Sequence, residues 1–320
     1  MGTVLVLTMT TDGAVDRVSL QALTLGRALA AGGAVHALLI GDSTLAAGLG
    51  DWGATQVHVT DHPGLAAFAP DAIARILDDL GASLGADVVV GPGTEAGNTV
   101  MARAAARAQL PFAANCVAAT TGDRLVVTRQ RWGGSLLEEA AVNASRAIVS
   151  VAPHAIAAVQ TGGQATVHSL QPQLDDVDLA VRVVERIPAA ATGVSLAEAK
   201  VVVTGGRGAG SAQGFAPVVE LADLLGAAVG CSRAVTISGW RPHTDQVGQT
   251  GTKIAPDLYI LAGVSGATQH MAGCKGAKLI LAINKDQDAP VMAAADYAVI
   301  GDLHDVLPAI SAEIRRRRGT

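Results

Sequence analysis

The chain has 320 residues, of which half are apolar and 16% are charged, and its formal net charge is −5. This length corresponds to about two domains of roughly 150 residues each, with enough apolar side chains for a substantial core. Aromatic residues make up 2% of the sequence. Nucleic-acid binding depends on clustered positive charge and on aromatic rings that stack with bases, so this composition argues against a nucleic-acid-binding protein.

The sequence contains no pattern typical of a signal peptide, a transmembrane segment, a disulfide framework or a zinc site. The opening sequence MGTVLVLT has no basic n-region, so we predict no signal peptide and a cytoplasmic location. The longest uncharged stretch, residues 147–174, is broken by proline, glycine and glutamine, which argues against a transmembrane segment. Cys116, Cys231 and Cys274 lie far apart, with no spacing typical of zinc ligands or of a disulfide framework. We therefore expect reduced thiols and no metal site.

In the first part of the chain, short Val/Leu/Ile runs alternate with longer alanine-rich segments. This pattern is typical of parallel strands that helices cover on both faces, and it predicts an α/β, Rossmann-like, doubly wound domain. Predicted strands cover residues 3–8, 35–40, 56–59 and 87–90. Predicted helices cover residues 20–31, 70–80 and 98–108.

A β-rich extension follows this domain. Between residues 115 and 172 the sequence changes to short β-rich pieces at 125–128, 147–151 and 165–169, separated by paired glycines. We interpret these pieces as an antiparallel extension or as edge strands. An acidic cluster, two prolines and an Ala/Gly run then predict a domain boundary near residue 195. The predicted domains are residues 1–195 and 196–320.

The second domain repeats the α/β pattern and predicts a parallel sheet. Predicted strands cover residues 200–203, 258–261, 279–283 and 298–300, and an amphipathic helix covers 305–318. Glycine and small hydroxyl residues cluster where these strands end. Open α/β sheets bind ligands at the carboxyl ends of their strands, so these clusters indicate a ligand site.

The first cluster, VTGGRGAGS at residues 203–211, runs from a strand into glycines. Its backbone amides suit a phosphate, and Arg207 adds a positive charge. However, Ser211 stands where the third glycine of GxGxxG belongs, and the chain contains no Gly-Lys-Ser/Thr sequence. By itself this loop does not distinguish a phosphate site from an ordinary strand-to-helix turn.

Further clusters are GCSR at 230–233, QVGQTG at 246–251, LYILAGVSGATQH at 258–270 and LAINKD at 281–286. Together with the GGRG sequence before them and Asp302-Leu303 after them, they resemble the signature of the electron-transfer flavoprotein alpha subunit. The resemblance is strong over about residues 200–310 and looser in the first domain. One departure is Gly251-Thr252-Lys253, where lysine comes one position later than in the usual order.

The resemblance implies an electron carrier without its own substrate. Its first domain would contact a beta subunit in a heterodimer, and its second domain would hold FAD. Electrons would pass from flavin dehydrogenases, such as the acyl-CoA dehydrogenases of fatty acid β-oxidation, to a quinone reductase. The beta subunit would hold AMP or a second FAD, the latter in an electron-bifurcating variant.

Carried over by position, the resemblance also implies a set of FAD contacts. Arg233 falls beside the isoalloxazine ring, where its charge would favour the negatively charged reduced flavin. Thr250 would hydrogen-bond the central ring, and Gln269 and His270 would meet the pyrimidine carbonyls; Arg233, Thr250 and His270 would thus tune the potential. The implied contacts are Gly206, Arg207, Gly208, Ser232, Arg233, Val247, Gly248, Gln249, Thr250, Ser265, Gly266, Ala267, Thr268, Gln269, His270, Asn284, Asp302 and Leu303.

Backbone around Arg207-Gly208 and Ser265-Gly266 would suit the pyrophosphate, and Asn284 and Asp302 the ribose or adenosine hydroxyls. Two alternatives stay open: a nicotinamide-nucleotide-dependent oxidoreductase that uses the same loops, and a flavin-free scaffold subunit. Seven further histidines show no ligand or triad spacing, and we assign them no function: His36, His58, His62, His154, His168, His243 and His304.

Overall fold

A computed structural model describes residues 2–134, 136–185 and 194–319. The chain divides into two compact units, Met1–Arg186 and Ile187–Thr320. Each unit is a helix-covered sheet in which parallel pairs dominate, which confirms the predicted α/β class. The predicted domain boundary near residue 195 stays a prediction, because residues 186–193 lie outside the described part of the chain.

Unit 1 contains one large sheet, one small hairpin and three α-helices in its described residues. The strands are β1 (Val4–Thr8), β2 (Thr10–Thr11), β3 (Ala14–Val15), β4 (Val35–Ile40), β5 (Gln56–Thr60), β6 (Val88–Pro92), β7 (Phe112–Thr121), β8 (Leu125–Arg131), β9 (Leu136–Val142), β10 (Ala147–Val151) and β11 (Thr166–Ser169). The helices are α1 (Arg17–Ala30), α2 (Pro70–Ser83) and α3 (Glu95–Ala108).

The large sheet of unit 1 has the order β11-β5-β4-β1-β6-β10-β7-β8-β9. Strand β1 explains why helices cover both faces, since all five of its residues are buried. Val4 and Val6 pack with α1 on one face, and Leu5 and Leu7 pack with α2 and α3 on the other. Burying a side chain of this size contributes about 1.5–3 kcal/mol, so the unbroken apolar run stabilises a central strand.

The prediction for residues 147–151 was wrong in one respect. They form β10, which is neither antiparallel nor at the edge but lies between β6 and β7 and pairs with both in parallel. All five of its residues are buried. The antiparallel extension itself consists of β7, β8 and β9, and β11 is a parallel edge strand beside β5.

Three histidines of unit 1 stack across β4, β5 and β11. The rings of His36 and His58 have centroids 5.3 Å apart, and those of His58 and His168 are 5.2 Å apart. His36 Nδ1 lies 3.0 Å from His58 Nε2. The chain separates these residues widely, and the parallel pairing of the three strands brings them together. We call this set the histidine ladder.

Unit 2 contains a five-stranded sheet with the order β13-β12-β14-β15-β16, in which all pairs are parallel. The strands are β12 (Val201–Gly205), β13 (Ala228–Cys231), β14 (Leu258–Ala262), β15 (Ile280–Asn284) and β16 (Tyr297–Ile300). The helices are α4 (Ala216–Leu225), α5 (Arg233–Ile237), α6 (Thr268–Met271), α7 (Pro290–Ala294) and α8 (Leu303–Arg318).

The strand order of unit 2 fixes where a ligand can enter. The chain leaves β12 toward β13 on one side and then returns to add β14, β15 and β16 on the other side. Adjacent strands whose connections run in opposite directions leave a crevice at their carboxyl ends. Here this switch point lies between Gly205 of β12 and Ala262 of β14, which are register partners.

Candidate functional site

A cavity of about 520 Å³ lies at the carboxyl end of the unit 2 sheet. Its size is within the range of small-molecule sites, and loops that follow all five strands contribute to its wall. All but three of the predicted FAD-contact residues line it; the exceptions are Gly206, Gly266 and Thr268. The wall also contains residues that were not predicted: Ala234, Gln246, Gly263, Val264, Lys285 and Gly301.

Two glycine loops meet at the switch point. Gly206 N donates to Ala262 O at 2.9 Å, and Gly208 N donates to Gly263 O at 3.0 Å. A Cβ on Gly206 would lie 2.1 Å from Gly263 O, so no side chain fits there. The glycines therefore let two backbones touch. The Gly206 and Gly208 amides are already bonded to the neighbouring loop, so these two amides are not free to bind a phosphate.

Two arginines of the wall have no ion pair or side-chain hydrogen bond to another described residue. Arg207 follows β12, and Arg233 is the first residue of α5, after β13. Both are exposed. A guanidinium without a protein partner beside a cavity suits an anionic ligand, because it can form charge-assisted hydrogen bonds in a planar fork.

Lys285 and Asp302 pair with each other across the wall. Their Nζ and Oδ2 atoms are 2.6 Å apart, and this contact with Lys285 lowers the pKa of Asp302. The other carboxylate oxygen accepts a hydrogen bond from His304 N at 2.9 Å and caps α8. Asp302 thus stays ionised and holds the start of the last helix at the cavity.

Thr250 ends a series of side-chain hydrogen bonds that the sequence did not predict. Gln246 Nε2 donates to Thr250 Oγ1 at 3.0 Å, and Thr236 Oγ1 donates to Gln246 Oε1 at 2.7 Å. Gln246 is buried, and its backbone oxygen accepts from Thr252 N. With Gln246 as its donor, the Thr250 hydroxyl keeps its own proton free to donate. Thr236 lies in α5 and Gln246 and Thr250 lie in a later loop, so their spacing in the sequence gave no signal of this contact.

His270 is the most deeply buried titratable group of the wall. Its Nε2 lies 2.8 Å from the Tyr259 hydroxyl, and its Nδ1 has no hydrogen-bond partner in the described part of the chain. Burial lowers the pKa of His270 to about 4, so the ring is neutral at pH 7. A buried polar atom without a partner is costly, so Nδ1 is a destabilising feature of the folded unit.

Asn284 lies in the cavity wall, but its side chain forms hydrogen bonds mainly with the protein itself. Its Nδ2 donates to Val264 O at 2.9 Å, and its Oδ1 accepts from Asp286 N at 3.0 Å. Gly266 lies behind the wall, where a Cβ would come within 2.4 Å of Val291 N. These two residues fix the loops after β14 and β15, and the second amide proton of Asn284 is left for a ligand.

The cysteines of unit 2 do not supply a nucleophile. Cys231 and Cys274 are buried, and burial raises the pKa of each thiol to about 12. Both therefore stay protonated at neutral pH and pack in the core. Lys253, the lysine of the unusual Gly-Thr-Lys order, is not part of the cavity wall.

The chain matches two family models. Residues 195–275 match the model described as "Electron transfer flavoprotein FAD-binding domain", and residues 4–175 match "Electron transfer flavoprotein domain". The first model therefore covers most of the cavity loops. The cavity suits an anionic cofactor such as FAD, since its wall contains two arginines without a protein ion pair, Arg207 and Arg233.

Curated relatives are similar over nearly their whole length. The electron transfer flavoprotein subunit alpha of Bacillus subtilis is 34% identical over 98% of this chain and 97% of its own. Protein FixB of Clostridium saccharobutylicum is 36% identical over 95% and 93%, respectively. The electron transfer flavoprotein subunit alpha of Mycobacterium leprae is 36% identical over the full length of both.

Proposed function

Since the chain belongs to the electron transfer flavoprotein alpha-subunit family, with FAD as its cofactor, we propose that it is the alpha subunit of a heterodimeric electron carrier. FAD supplies reversible redox chemistry when bound, and the protein supplies orientation and electrostatics. In this proposal the chain turns over no substrate of its own. It receives electrons from flavin dehydrogenases and passes them to a quinone reductase.

The observation that carries the proposal is the pair of arginines without a protein counter-ion beside one cavity. Arg207 and Arg233 have no ion pair to another described residue, and His270 Nδ1 is buried without a partner. An exposed guanidinium without a protein counter-ion can pair with an anion, so two of them beside one cavity support a resident anionic ligand.

Arg233, Thr250 and His270 are the residues that we assign to the isoalloxazine ring. Arg233 holds a positive charge at the cavity wall, where it would attract the negative charge of reduced flavin. Thr250 presents a free hydroxyl proton because Gln246 donates to its oxygen. His270 presents a neutral ring. These groups raise the reduction potential without transferring protons themselves.

The rest of the cavity serves the other end of FAD. Arg207 lies beside the glycine contact at the switch point, where it suits the pyrophosphate. Asn284 and the Lys285–Asp302 pair follow the strands on the far side of the sheet and suit the ribose and adenosine hydroxyls. This assignment leaves the Gly206 and Gly208 amides to hold the loops together.

We assign unit 1 to contact with the beta subunit. This assignment is supported by an apolar surface at the β8–β9 turn, where the side chain of Trp132 is 80% exposed and that of Leu137 is 66% exposed. Exposed aromatic and aliphatic clusters are typical of protein interfaces. In the part of the chain that the structure describes, no helix is long and apolar enough to cross a membrane. AMP or a second FAD would belong to the beta subunit.

The first experiment is purification of the chain with its beta subunit, followed by a visible absorption spectrum and identification of the chromophore after acid release. We expect one FAD in this subunit. A colourless complex would favour the flavin-free scaffold, and hydride transfer from a nicotinamide to a small substrate would favour the oxidoreductase. A second flavin that NADH reduces would indicate the bifurcating variant.

A matched pair of variants then tests the site. Arg233→Ala should weaken FAD binding or lower the relative affinity for reduced over oxidised flavin by roughly tenfold, about 30 mV for a two-electron couple. Arg124→Ala removes another exposed arginine, in unit 1, and should change neither. If Arg233→Ala left FAD content and potential unchanged, the assignment of Arg233 would be wrong.

A further inference from the structure

Gln246 is a buried glutamine at the cavity, and both ends of its side-chain amide are in contact with hydroxyl groups. Thr236 Oγ1 lies 2.7 Å from Gln246 Oε1, and Gln246 Nε2 lies 3.0 Å from Thr250 Oγ1. Thr236 belongs to α5, the helix that begins with Arg233 at the cavity wall. The glutamine therefore bridges α5 and the loop of residues 246–252.

The backbone around Gln246 is fixed independently of its side chain. The Gln246 carbonyl oxygen accepts from Thr252 N at 2.7 Å, which closes the loop on itself. The next residue, Val247, donates its N–H to Cys231 O at the end of β13, at 3.0 Å. The side chain of Gln246 thus reaches Thr250 from a point that the sheet and the loop hold in place.

Thr250, in contrast, is exposed. Among the described residues, Gln246 is the one hydrogen-bond partner of its side chain. A threonine side chain has three staggered χ1 positions, and an exposed one can turn between them. The contact with Gln246 selects the position in which Oγ1 faces the buried amide. This selection does not depend on which amide atom faces Thr250, because a hydroxyl group can both donate and accept.

We propose that Gln246 is a positioning residue that holds the Thr250 side chain in one rotamer at the cavity wall, so that its hydroxyl meets the flavin already oriented. The proposal rests on the proposed function, because it assumes that FAD occupies the cavity beside Thr250. A group that is held in place before binding loses little conformational freedom when the ligand arrives. A hydroxyl that turned freely would be in the useful position for about a third of the time.

The first measurement reads the rotamer directly in the heterodimer. Threonine labelled with ¹³C and ¹⁵N reports χ1 through the three-bond couplings from Cγ2 to the backbone nitrogen and to the carbonyl carbon. Thr250→Ser lacks the methyl group and therefore assigns the signal. In the wild type we expect a single Thr250 rotamer. In Gln246→Met, which keeps the length of the side chain and removes the amide, we expect an average over several rotamers.

The second measurement is the reduction potential of the bound FAD. Thr250→Val should lower the preference for reduced over oxidised flavin about tenfold, which is about 30 mV for a two-electron couple. Gln246→Met should lower it by about threefold, because the hydroxyl is retained but is in place for about a third of the time. The double variant should match Thr250→Val, since Gln246 acts through Thr250. If its loss were the product of the two single losses, Gln246 would act without Thr250, and the proposal would be wrong.

Gln213→Met is the matched control, because Gln213 lies in the same unit, is exposed and is not part of the cavity wall. It should alter neither the Thr250 rotamer nor the potential. If Gln246→Met does not fold, Gln246→Asn keeps an amide in the buried position but is one methylene group too short to span both contacts. It should also release the Thr250 rotamer and lower the potential, and a folded Gln246→Asn protein with neither change would contradict the proposal.

The outcomes separate this proposal from the proposed function. A wild-type Thr250 that averages over several rotamers would overturn the positioning role, whether or not FAD is bound. An FAD-loaded Gln246→Met protein with the rotamer and the potential of the wild type would also overturn it, while leaving the carrier function intact. A complex without FAD would contradict the carrier function, and the Thr250 rotamers of the wild type and of Gln246→Met would still decide the positioning role.

Discussion

Both units carry a glycine loop at the carboxyl end of a parallel sheet, and in the described part of the chain the loops of unit 2 line a cavity whose arginines have no ion pair. In unit 1 the loop after β6 is closed by its own side chains. Asn98 Nδ2 donates to Gly93 O and Asn115 Oδ1, Ser150 Oγ donates to Asn98 Oδ1 at 2.6 Å, and Asn115 N donates to Ser150 Oγ.

In unit 2 the corresponding region leaves groups without protein partners. Arg207 and Arg233 have no ion pair to a described residue, and His270 Nδ1 is unbonded. The difference teaches that a glycine loop after a strand does not by itself make a ligand site. What matters is whether the polar groups around it pair with one another or leave charged groups free to pair with a ligand.

The largest loss of stability is expected when alanine replaces a glycine at which two backbone segments touch. In Gly206→Ala the new Cβ would meet Gly263 O at 2.1 Å, and in Gly93→Ala it would meet Val151 O at 2.2 Å. Each should destabilise its own unit by about 3 kcal/mol, because backbone on both sides must shift. Urea unfolding followed by fluorescence should report this, since Trp240 lies in unit 2 and Trp52 and Trp132 in unit 1.

The comparison predicts that only Gly206→Ala lowers the FAD content of the folded heterodimer. Gly48→Ala is the control, since a Cβ at that position meets nothing within 4 Å. Loss of FAD in Gly93→Ala at a temperature where unit 1 is still folded would mean that the two loops are not functionally distinct.

A smaller effect is expected from pH, through the histidine ladder of unit 1. Burial lowers the pKa of His58 to about 4, and burial also lowers the pKa of His36. The folded form therefore favours the neutral rings of His36 and His58. Histidine in the unfolded chain has a pKa of about 6.5, so the free energy of unfolding of unit 1 is highest above that pH. It falls by on the order of 1–3 kcal/mol as the pH drops from 6.5 toward 4.

Chemical denaturation at pH 7.5 and at pH 5 measures this loss. A His58→Leu variant should show a flatter pH dependence for unit 1. An unchanged slope in this variant would show that the ladder does not control the acid sensitivity of the unit.

The smallest effect is expected from Ser150→Ala. This change leaves Asn98 Oδ1 and the Asn115 amide without a partner and should destabilise unit 1 by about 1–2 kcal/mol. FAD content should not change. Thermal unfolding of the heterodimer measures the effect, with exposed Ser43→Ala as the control. A drop in FAD content with intact unit 1 would show that the closed network also serves the cofactor.

Sequence reasoning found the parts of the molecule that local pattern determines. Strand β4 was predicted with correct bounds. The loops at the strand ends of unit 2 were predicted to form a ligand site, and they line the cavity. It missed β13, whose sequence AVGC is short and contains alanine and glycine, residues with weak strand preference. It also misplaced β10, because neighbours in a sheet depend on contacts between distant parts of the chain.

Within the site, residues that face the cavity were easier to predict than those that act through others. Arg233 and His270 belong to recognisable sequence motifs, GCSR and SGATQH. Gln246 was in a quoted motif, but its role depends on the positions of Thr236 and Thr250 in space.

The residues of the cavity wall are spread along the sequence of unit 2, and this spread has a thermodynamic consequence. Its residues run from Arg207 to Leu303, so nearly the whole of unit 2 must be folded before any ligand is held. Binding and folding of this unit are then linked, and free ligand at 100 times its dissociation constant adds about 2.7 kcal/mol to its stability. Supply of the cofactor would thereby regulate how much of unit 2 survives proteolysis, independently of unit 1.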